Sequence, residues 1–277
     1  MKINVLIPTR GRPLQLAAAL YSMFFCSSDK HEVKFCVACD DDDEPTKLAL
    51  RELRQSHLPV SVRIGPRPDT LGSVANDMAA HWPADVYQIF ADDLMCITHG
   101  WDEILAQAVT QTPHGVFWMK SAKHQQSLVP AVTEQWRVAA GQIFTEYFPY
   151  WFDDLWLQES WIMATGENPI FLDTVVVDRP SSTHRMRELE FWAKFYFAMR
   201  DERREHARAI ADVLNLPEKA FASLMREAFS KRMETYPPLN ANDAAKVEAS
   251  NKAETGPPSE SYVRVKERAE NLMRKAA

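Results

Sequence analysis

Residues 2–25 read KINVLIPTRGRPLQLAAALYSMFF: a short apolar run, a turn with two arginines, and an apolar, Ala-rich segment. The run 2–8 ends at a proline and predicts a β-strand. Residues 14–25 follow Pro13, and because proline is tolerated in a first helical turn, this segment predicts a helix. A strand followed directly by a helix is the unit from which parallel sheets are built.

The same alternation continues along the chain. Further strands are predicted at 33–39, 60–64, 86–91 and 174–177, and helices at 46–56, 73–81 and 101–109. Strands that alternate with helices of about ten residues indicate an α/β fold with a mixed, mostly parallel sheet flanked by helices. Ligands of such sheets bind beyond the carboxyl ends of the strands.

Acidic clusters follow two of these strands. Residues 40–44 read DDDDE after the second strand, and Asp92-Asp93 follows the fourth. Residues 1–184 carry 14 Lys and Arg against 23 Asp and Glu, a net charge of −9, whereas residues 185–277 carry +3. Acidic clusters in a folded domain repel themselves unless something cationic offsets them. The acidic excess therefore points to a bound cation at the sheet edge.

Asp92 and Asp93 are the candidates for that cation. Adjacent carboxylates disfavour mutual ionisation, and a divalent ion removes this cost. Hard oxygen ligands suit Mg²⁺ or Mn²⁺, which also bind substrate phosphates. A helix N-cap or a turn is the competing interpretation, since Asp favours both.

The turn Thr9-Arg10-Gly11-Arg12 is a candidate anion site. It stands at the start of a helix, where backbone N–H groups and the helix dipole favour anions, and the two arginines add donors. In the run 40–43, Asp40 or Asp41 could accept hydrogen bonds from a nucleobase or ribose, while the others fit a solvated turn. Simple surface charge remains the alternative for the arginines.

Composition excludes several classes of protein. The 277 residues are 46% apolar and 25% charged, as in an ordinary globular protein. The net charge of −6 excludes an overall basic nucleic-acid binder, and no apolar run is long enough to span a membrane.

With no signal-peptide pattern and four scattered cysteines, we expect a cytoplasmic protein (host cytoplasm if viral) with no disulfide framework. Cys36 and Cys39 would face opposite sides of a strand as buried small residues.

The second half of the chain is less regular. Residues 144–161 read FTEYFPYWFDDLWLQESW, and from this segment Tyr150, Trp151 and Trp156 are candidates for an acceptor platform, because flat rings pack against sugar faces. Core packing is the alternative for each ring. Residues 185–231 show a charged helical pattern, 236–262 resemble a linker, and 263–277 predict a terminal helix.

Five motifs, in this order, resemble the family-2 glycosyltransferases, which have the GT-A fold. They are the opening strand and turn from Val5 to Pro13, the second strand ending in Asp40-Asp41, the segment Gly72-Ser73-Val74-Ala75-Asn76-Asp77, the acidic motif Ala91-Asp92-Asp93, and Gly100-Trp101-Asp102. The resemblance covers residues 1–190, which would form the nucleotide-sugar-binding and catalytic domain, and leaves 191–235 as a helical extension. The acidic motif departs from the family's D-x-D pattern, because Ala91 stands at its first position.

The resemblance implies a metal-dependent enzyme that moves a sugar from a nucleotide-sugar, expected to be UDP-linked, to an acceptor hydroxyl. The residues that it places at the nucleotide are Pro8, Thr9, Arg10, Arg12, Asp40, Asp41, Asn76 and Asp92. It implies that Asp93, with help from Asp92, binds Mn²⁺ or Mg²⁺, and that a later histidine, for which His184 is the candidate, adds a ligand.

An inverting transfer needs a base for the acceptor hydroxyl. In inverting relatives an Asp of an acidic pair fills this role, and Asp153-Asp154 resembles that pair, with Asp154 preferred and Asp153 as the alternate. Aromatic surroundings would raise a carboxylate pKa toward neutrality. An acidic helix N-terminus is the competing interpretation.

The sequence leaves more than one acceptor and more than one class of protein open. A saccharide and a hydroxymethylated DNA base are both open as acceptors, the second because phage DNA-modifying relatives of this fold exist. A sugar nucleotidyltransferase is a competing enzyme class, although the Gly-rich loop that it needs after the first strand is missing. A non-catalytic nucleotide-binding protein with the same fold is the third hypothesis.

Overall fold

The computed structural model describes residues 1–122, 129–149, 152–178, 188–217 and 258–276. Its strands are β1 (Lys2–Thr9), β2 (Glu32–Asp40), β3 (Val60–Gly65), β4 (Val86–Ile89), β5 (Leu94–Cys96), β6 (Val116–Ser121), β7 (Pro130–Thr133) and β8 (Ile170–Asp178). Its helices are α1 (Pro13–Phe25), α2 (Glu44–Leu53), α3 (Leu71–His81), α4 (Trp101–Gln111), α5 (Glu134–Ala140), α6 (Asp153–Thr165), α7 (Leu189–Ala198), α8 (Arg200–Val213) and α9 (Glu260–Ala276).

All the described strands belong to one sheet with the order β3-β2-β1-β4-β7-β6-β8-β5. The first four strands in that order run parallel, with Thr9 of β1 paired to Cys39 of β2. β7 runs antiparallel to both β4 and β6, β8 pairs parallel with β6, and β5 pairs antiparallel with β8. The expected mixed, mostly parallel sheet with flanking helices is confirmed, and β1, β2 and β4 deliver their carboxyl ends to one edge.

Helices cover both faces of the sheet. Alternate residues of β1 point to opposite sides, so Ile3, Val5 and Ile7 pack with α1, α2 and α4, whereas Leu6 packs with α3, α5, α6 and α8. The two cysteines of β2 follow the same rule: Cys36 lies in the second core and Cys39 in the first, and both thiols are buried. The prediction of two buried cysteines on opposite faces is therefore confirmed.

A third, aromatic core joins the segment before α6 to the C-terminal helices. It contains Phe148, Phe152, Trp156, Trp192, Phe195, Tyr196, Met199, Tyr262, Val265 and Ala269. The predicted terminal helix is present, but α9 begins at Glu260, three residues earlier than the pattern suggested. Most of the predicted linker 236–262 lies outside the described residues, so the domain division stays a prediction.

None of the described helices is long and apolar enough to cross a membrane. The expected cytoplasmic location stays a prediction.

Candidate functional site

The turn after β1 forms one wall of the candidate site. Gly11 has φ +67°, a left-handed conformation that favours glycine, and Arg12 precedes the first turn of α1. The N–H of Gly11 donates to Asp43 Oδ2 at 2.6 Å. This bond ties the turn after β1 to the turn after β2.

Asp43 was not among the predicted site residues, yet it holds these turns together. It is 5% exposed and caps α2, accepting from the N–H of Thr46 at 3.3 Å. Burial opposes its ionisation, but the hydrogen bonds from Thr46 and Gly11 outweigh burial and lower the pKa of Asp43. Because residues 40–43 are all aspartates, the sequence does not show that Asp43 is the buried one. Only its position immediately before a helix, which favours an N-cap, could have distinguished it.

Arg10 turns toward the acidic run after β2. Its Nη1 donates to Asp40 Oδ2 at 2.7 Å, and its Nη2 donates to Asp42 Oδ2 at 2.8 Å. The hydrogen bond from Arg10 lowers the pKa of the Asp42 carboxyl. Asp41 is exposed beside them. Two of the predicted nucleotide-binding residues, Arg10 and Asp40, are therefore ion-paired to each other.

Asp92 and Asp93 lie beyond the carboxyl end of β4 and face the turn after β1. Asp92 is 5% exposed and accepts from Thr9 Oγ1 at 2.7 Å. One nitrogen, Arg12 Nη1, donates to Asp92 Oδ1 at 2.8 Å and to Asp93 Oδ2 at 2.9 Å. Burial raises the pKa of Asp92, against the opposing effects of the Thr9 hydrogen bond and the Arg12 charge. Thr9 and Arg12, expected at an anion site, therefore contact the two carboxylates that were expected at a cation site.

The two carboxylates fit a divalent cation. Their oxygens converge on a single cationic atom, and carboxylate oxygens are the ligands that Mg²⁺ and Mn²⁺ prefer. Among the described residues, no three His, Cys, Asp or Glu side chains come together as a complete metal site. His184, the predicted third ligand, lies outside the described residues.

Asn76 of α3 is bonded to the segment that leads toward α6. Its Oδ1 accepts from the N–H of Ile143 at 2.8 Å, and its Nδ2 donates to the carbonyl of Phe144 at 2.9 Å and to Glu146 Oε1 at 3.1 Å. Through these bonds Asn76 holds residues 143–146 against α3. A contact between its amide and a nucleotide, as predicted, would require some of them to break.

Asp153 and Asp154 begin α6. Phe152 precedes them with φ +74°, a left-handed conformation that costs a residue with a side chain about 1–2 kcal/mol. The Phe152 ring packs at 5.1 Å from the ring of Tyr196, which helps to hold this turn in place. The turn from which both carboxylates begin α6 is therefore anchored in the aromatic core.

The two carboxyl groups have different surroundings. Asp153 is 3% exposed, and neither of its oxygens has a hydrogen-bond partner within the described part of the chain. Burial, with the nearby charges of Asp154 and Glu146, raises the pKa of Asp153 well above its usual range. Burial also raises the pKa of Asp154, but hydrogen bonds from the N–H groups of Leu155 and of Asp154 itself limit that rise. Asp154 is only half-buried, so it is the more accessible of the two.

Comparisons with known proteins establish the fold. A scan against protein-family models and a search of curated proteins find no match to this sequence. Solved structures do match. A mannosyltransferase from Pyrobaculum calidifontis, solved with GDP-Man and Mn²⁺, superposes with a TM-score of 0.56 at 13% identity, over 99% of this chain and 86% of that one.

Two further glycosyltransferases have the same arrangement. GalNAc-T7, solved with UDP, GalNAc and Mn²⁺, gives a TM-score of 0.62 at 12% identity over 86% of this chain, which spans only 58% of that protein. TarS of S. aureus (residues 1–349), solved with UDP, gives 0.53 at 14% identity, over 83% of this chain and 72% of that one. The chain has the GT-A fold. At these identities the likeness concerns the fold alone.

Trp156 does not form the accessible platform that the sequence suggested. It is 3% exposed, its ring lies 5.4 Å from that of Tyr147, and its Nε1 donates to His206 Nδ1 at 3.4 Å. The ring therefore belongs to the aromatic core and presents no face to an acceptor in this conformation. Tyr150 and Trp151, the other candidates, lie outside the described residues.

A buried ion pair joins α8 to α6. Arg203 of α8 is 1% exposed and donates through Nε to Glu159 Oε2 at 3.0 Å, while its guanidinium lies over the rings of Tyr196 and Trp156. The charged helical pattern of residues 185–231 gave no sign that Arg203 is buried. Glu159 and Arg203 are 44 residues apart in sequence, so no local sequence pattern predicts their pairing.

Proposed function

We propose that this protein is a metal-dependent glycosyltransferase, which moves a sugar from a nucleoside diphosphate sugar to an acceptor hydroxyl. The observation that carries the proposal is the convergence of Thr9, Arg12, Asp92 and Asp93 at the carboxyl edge of the parallel strands, in a chain with the GT-A fold. The neighbours of this fold solved with UDP or GDP-Man, two of them with Mn²⁺, support the same chemistry.

The donor is proposed to lie across the ends of β1, β2 and β4. Asp40 or Asp41 is proposed to accept hydrogen bonds from a nucleobase or ribose. Pro8 and Thr9 at the end of β1, with Arg10 in the turn that follows, are proposed to lie beside them. Arg12, at the N-terminus of α1, supplies a positive charge where a diphosphate would also meet the helix dipole. Asn76 and Asp92 complete the proposed nucleotide-binding set.

Asp93, assisted by Asp92, is proposed to hold Mn²⁺ or Mg²⁺, with His184 as a further ligand. Such an ion supplies positive charge that stabilises a leaving diphosphate. The remaining roles fall to side chains of this chain: Arg12 contacts the phosphates, and Thr9 keeps the Asp92 carboxylate oriented through its hydrogen bond.

Asp154 is proposed as the general base, with Asp153 as the alternate. Its carboxylate accepts the proton of the acceptor hydroxyl while that oxygen bonds to the anomeric carbon. The bond from this carbon to the diphosphate oxygen breaks with its electron pair, so the nucleoside diphosphate leaves and the configuration inverts. A pKa raised by burial makes this carboxylate a stronger base than an exposed one. The acceptor is proposed to be a saccharide or a hydroxymethylated DNA base.

Donor and metal binding are tested by thermal stability. Because a ligand of the native state raises the melting temperature, UDP or GDP together with Mn²⁺ should raise it, and each component alone should do so less. The variant Asp93→Ala should lose the part of the shift that depends on Mn²⁺. The exposed Asp173, which pairs with Lys120 on β6, gives a matched control in Asp173→Ala. If no nucleotide shifts the melting temperature of the wild type with Mn²⁺, the proposed function is wrong.

The base is tested by separating binding from transfer. Asp154→Asn should leave the shift with UDP and Mn²⁺ unchanged and lower the rate of sugar transfer by about 10²–10⁴-fold, the contribution that general base catalysis typically makes. Transfer is measured with a radiolabelled UDP-sugar offered to a glycan panel and to hydroxymethylated DNA. Normal transfer by Asp154→Asn would remove it from this role, and the same assay on Asp153→Asn would then test the alternate.

A further inference from the structure

We propose that Arg12 holds the place of the divalent cation between Asp92 and Asp93, and that cation binding releases its guanidinium toward the donor diphosphate. The inference rests on the proposed function and concerns the regulation of the same site. It predicts that the metal and the nucleotide bind cooperatively, with Arg12 as the residue that couples them.

The first argument is geometric. A single atom, Arg12 Nη1, lies 2.8 Å from Asp92 Oδ1 and 2.9 Å from Asp93 Oδ2. An ion such as Mg²⁺ binds carboxylate oxygens at about 2.0–2.1 Å, so an ion shared by these two oxygens would take up the space between them. The guanidinium and such an ion cannot occupy that space together.

The second argument concerns charge. Asp92 is almost fully buried and lies next to a second carboxylate, an arrangement that is unfavourable without a neighbouring positive charge. Arg12, which lies 80 positions before Asp92 in the sequence, provides that charge. The same contact that stabilises the pair must also compete with any metal ion that the pair binds.

The third argument concerns where the guanidinium goes. Arg12 immediately precedes α1, and its side chain is 23% exposed, so it lies at the helix N-terminus and reaches solvent. That N-terminus favours anions. A guanidinium released from the carboxylates is therefore already placed to meet a diphosphate. Since coupling between two ligands is reciprocal, each should then strengthen the binding of the other.

Mn²⁺ binding without nucleotide gives the first test. The full-length protein is titrated with Mn²⁺ alone, and free Mn²⁺ is measured by electron paramagnetic resonance. Arg12→Gln should bind Mn²⁺ more tightly than the wild type by about tenfold, within the usual range of coupling between sites. Arg10→Gln is the matched control, because it removes the same charge from the same turn but its partners are Asp40 and Asp42.

UDP binding at saturating Mn²⁺ gives the second test, by calorimetry. Here Arg12→Gln should bind UDP about tenfold more weakly than the wild type, because the guanidinium no longer reaches the diphosphate. The two effects have opposite signs. A residue that only supports the fold would weaken both kinds of binding when it is replaced.

Equal Mn²⁺ affinity in Arg12→Gln and Arg10→Gln would overturn the proposal. Arg12→Met, which keeps an extended side chain and removes its charge, covers the case in which Arg12→Gln does not fold. It should also bind Mn²⁺ more tightly than the wild type, and failure to do so overturns the proposal. If the wild type binds no UDP even with Mn²⁺, the proposed function fails instead, and the Mn²⁺ titration still decides the role of Arg12.

Discussion

At the scale of single residues, Asp153 stands out because a carboxyl group is buried there without a partner among the described residues. A buried polar group without a hydrogen bond costs about 1–3 kcal/mol, and a charged one costs more. Proteins tolerate such strain where a functional site requires it. Its position beside Asp154 connects this cost to the proposed catalytic centre.

The raised pKa of Asp153 predicts how stability depends on pH. The folded state holds this proton more tightly than the unfolded state, in which the pKa is close to the ordinary 3.8. The free energy of unfolding should therefore fall as pH rises above that value, until the folded-state pKa is passed. Asp153→Asn removes the charge, so its stability relative to the wild type should increase as pH rises from about 4 toward neutrality.

This prediction is measured by urea unfolding across that pH range. Asp173→Asn serves as the control, because its carboxylate is 92% exposed and should show little change in relative stability. A constant difference between Asp153→Asn and the wild type at every pH would contradict the assignment.

At the scale of elements, the site depends on the contact between α3 and residues 143–146. Gly72 lies in the first turn of α3, and a Cβ added there would meet the carbonyl oxygen of Thr145 at 2.0 Å. Asn76, one turn later, is bonded to the backbone of Ile143 and Phe144. The helix can approach this closely only because position 72 has no side chain.

Gly72→Ala should therefore lower the free energy of unfolding by about 1–3 kcal/mol, as other overpacked sites do. It should also displace the segment that leads to Asp153 and reduce sugar transfer. Gly65→Ala is the matched control, since a Cβ there meets nothing within 4 Å. Urea denaturation of both variants measures the effect, and equal stability of the two would show that the close approach is unimportant.

At the scale of the whole molecule, α9 packs in the aromatic core against the segment that leads to the proposed general base. The hydroxyl of Tyr262 donates to Glu188 Oε2 at 2.8 Å and accepts from Trp192 Nε1 at 3.0 Å. Arg268 donates to the carbonyl of Glu146, in the segment that Asn76 clamps. Through Arg268, α9 thus contacts the same segment that Asn76 binds.

Two valines of α9 test this role. Val265 is 2% exposed in the aromatic core, whereas Val263, on the same helix, is 38% exposed. Val265→Asp should destabilise the protein by about 3 kcal/mol or more, because it buries an unpaired charge. Val263→Asp should change stability by less than about 0.5 kcal/mol, as most surface substitutions do. Thermal unfolding compares the two, and similar melting temperatures would show that α9 does not pack as described.

The sequence by itself determined the α/β class, the first four strands with their helices, and the acidic edge of the sheet. These features are local: apolar runs, helix starts and the residues that follow a strand are all contained within about ten neighbouring positions. It did not predict β5, β6 and β7, which have 3, 6 and 4 residues and pair in part antiparallel. Length alone is not the reason, because β3 and β4 have 6 and 4 residues and were predicted. A short apolar run cannot be distinguished from a buried helix segment by its periodicity.

Only the tertiary structure decided the partners of the site residues. Both Asp92 and Arg12 were visible as candidates, but their contact across 80 residues of sequence depends on how β1 and β4 are brought side by side. The same is true of Asn76, which is bonded to residues 143–146, and of Trp156, which is buried in the aromatic core. Local sequence fixes which side chains are available at a strand end, whereas the packing of distant segments fixes what each of them contacts.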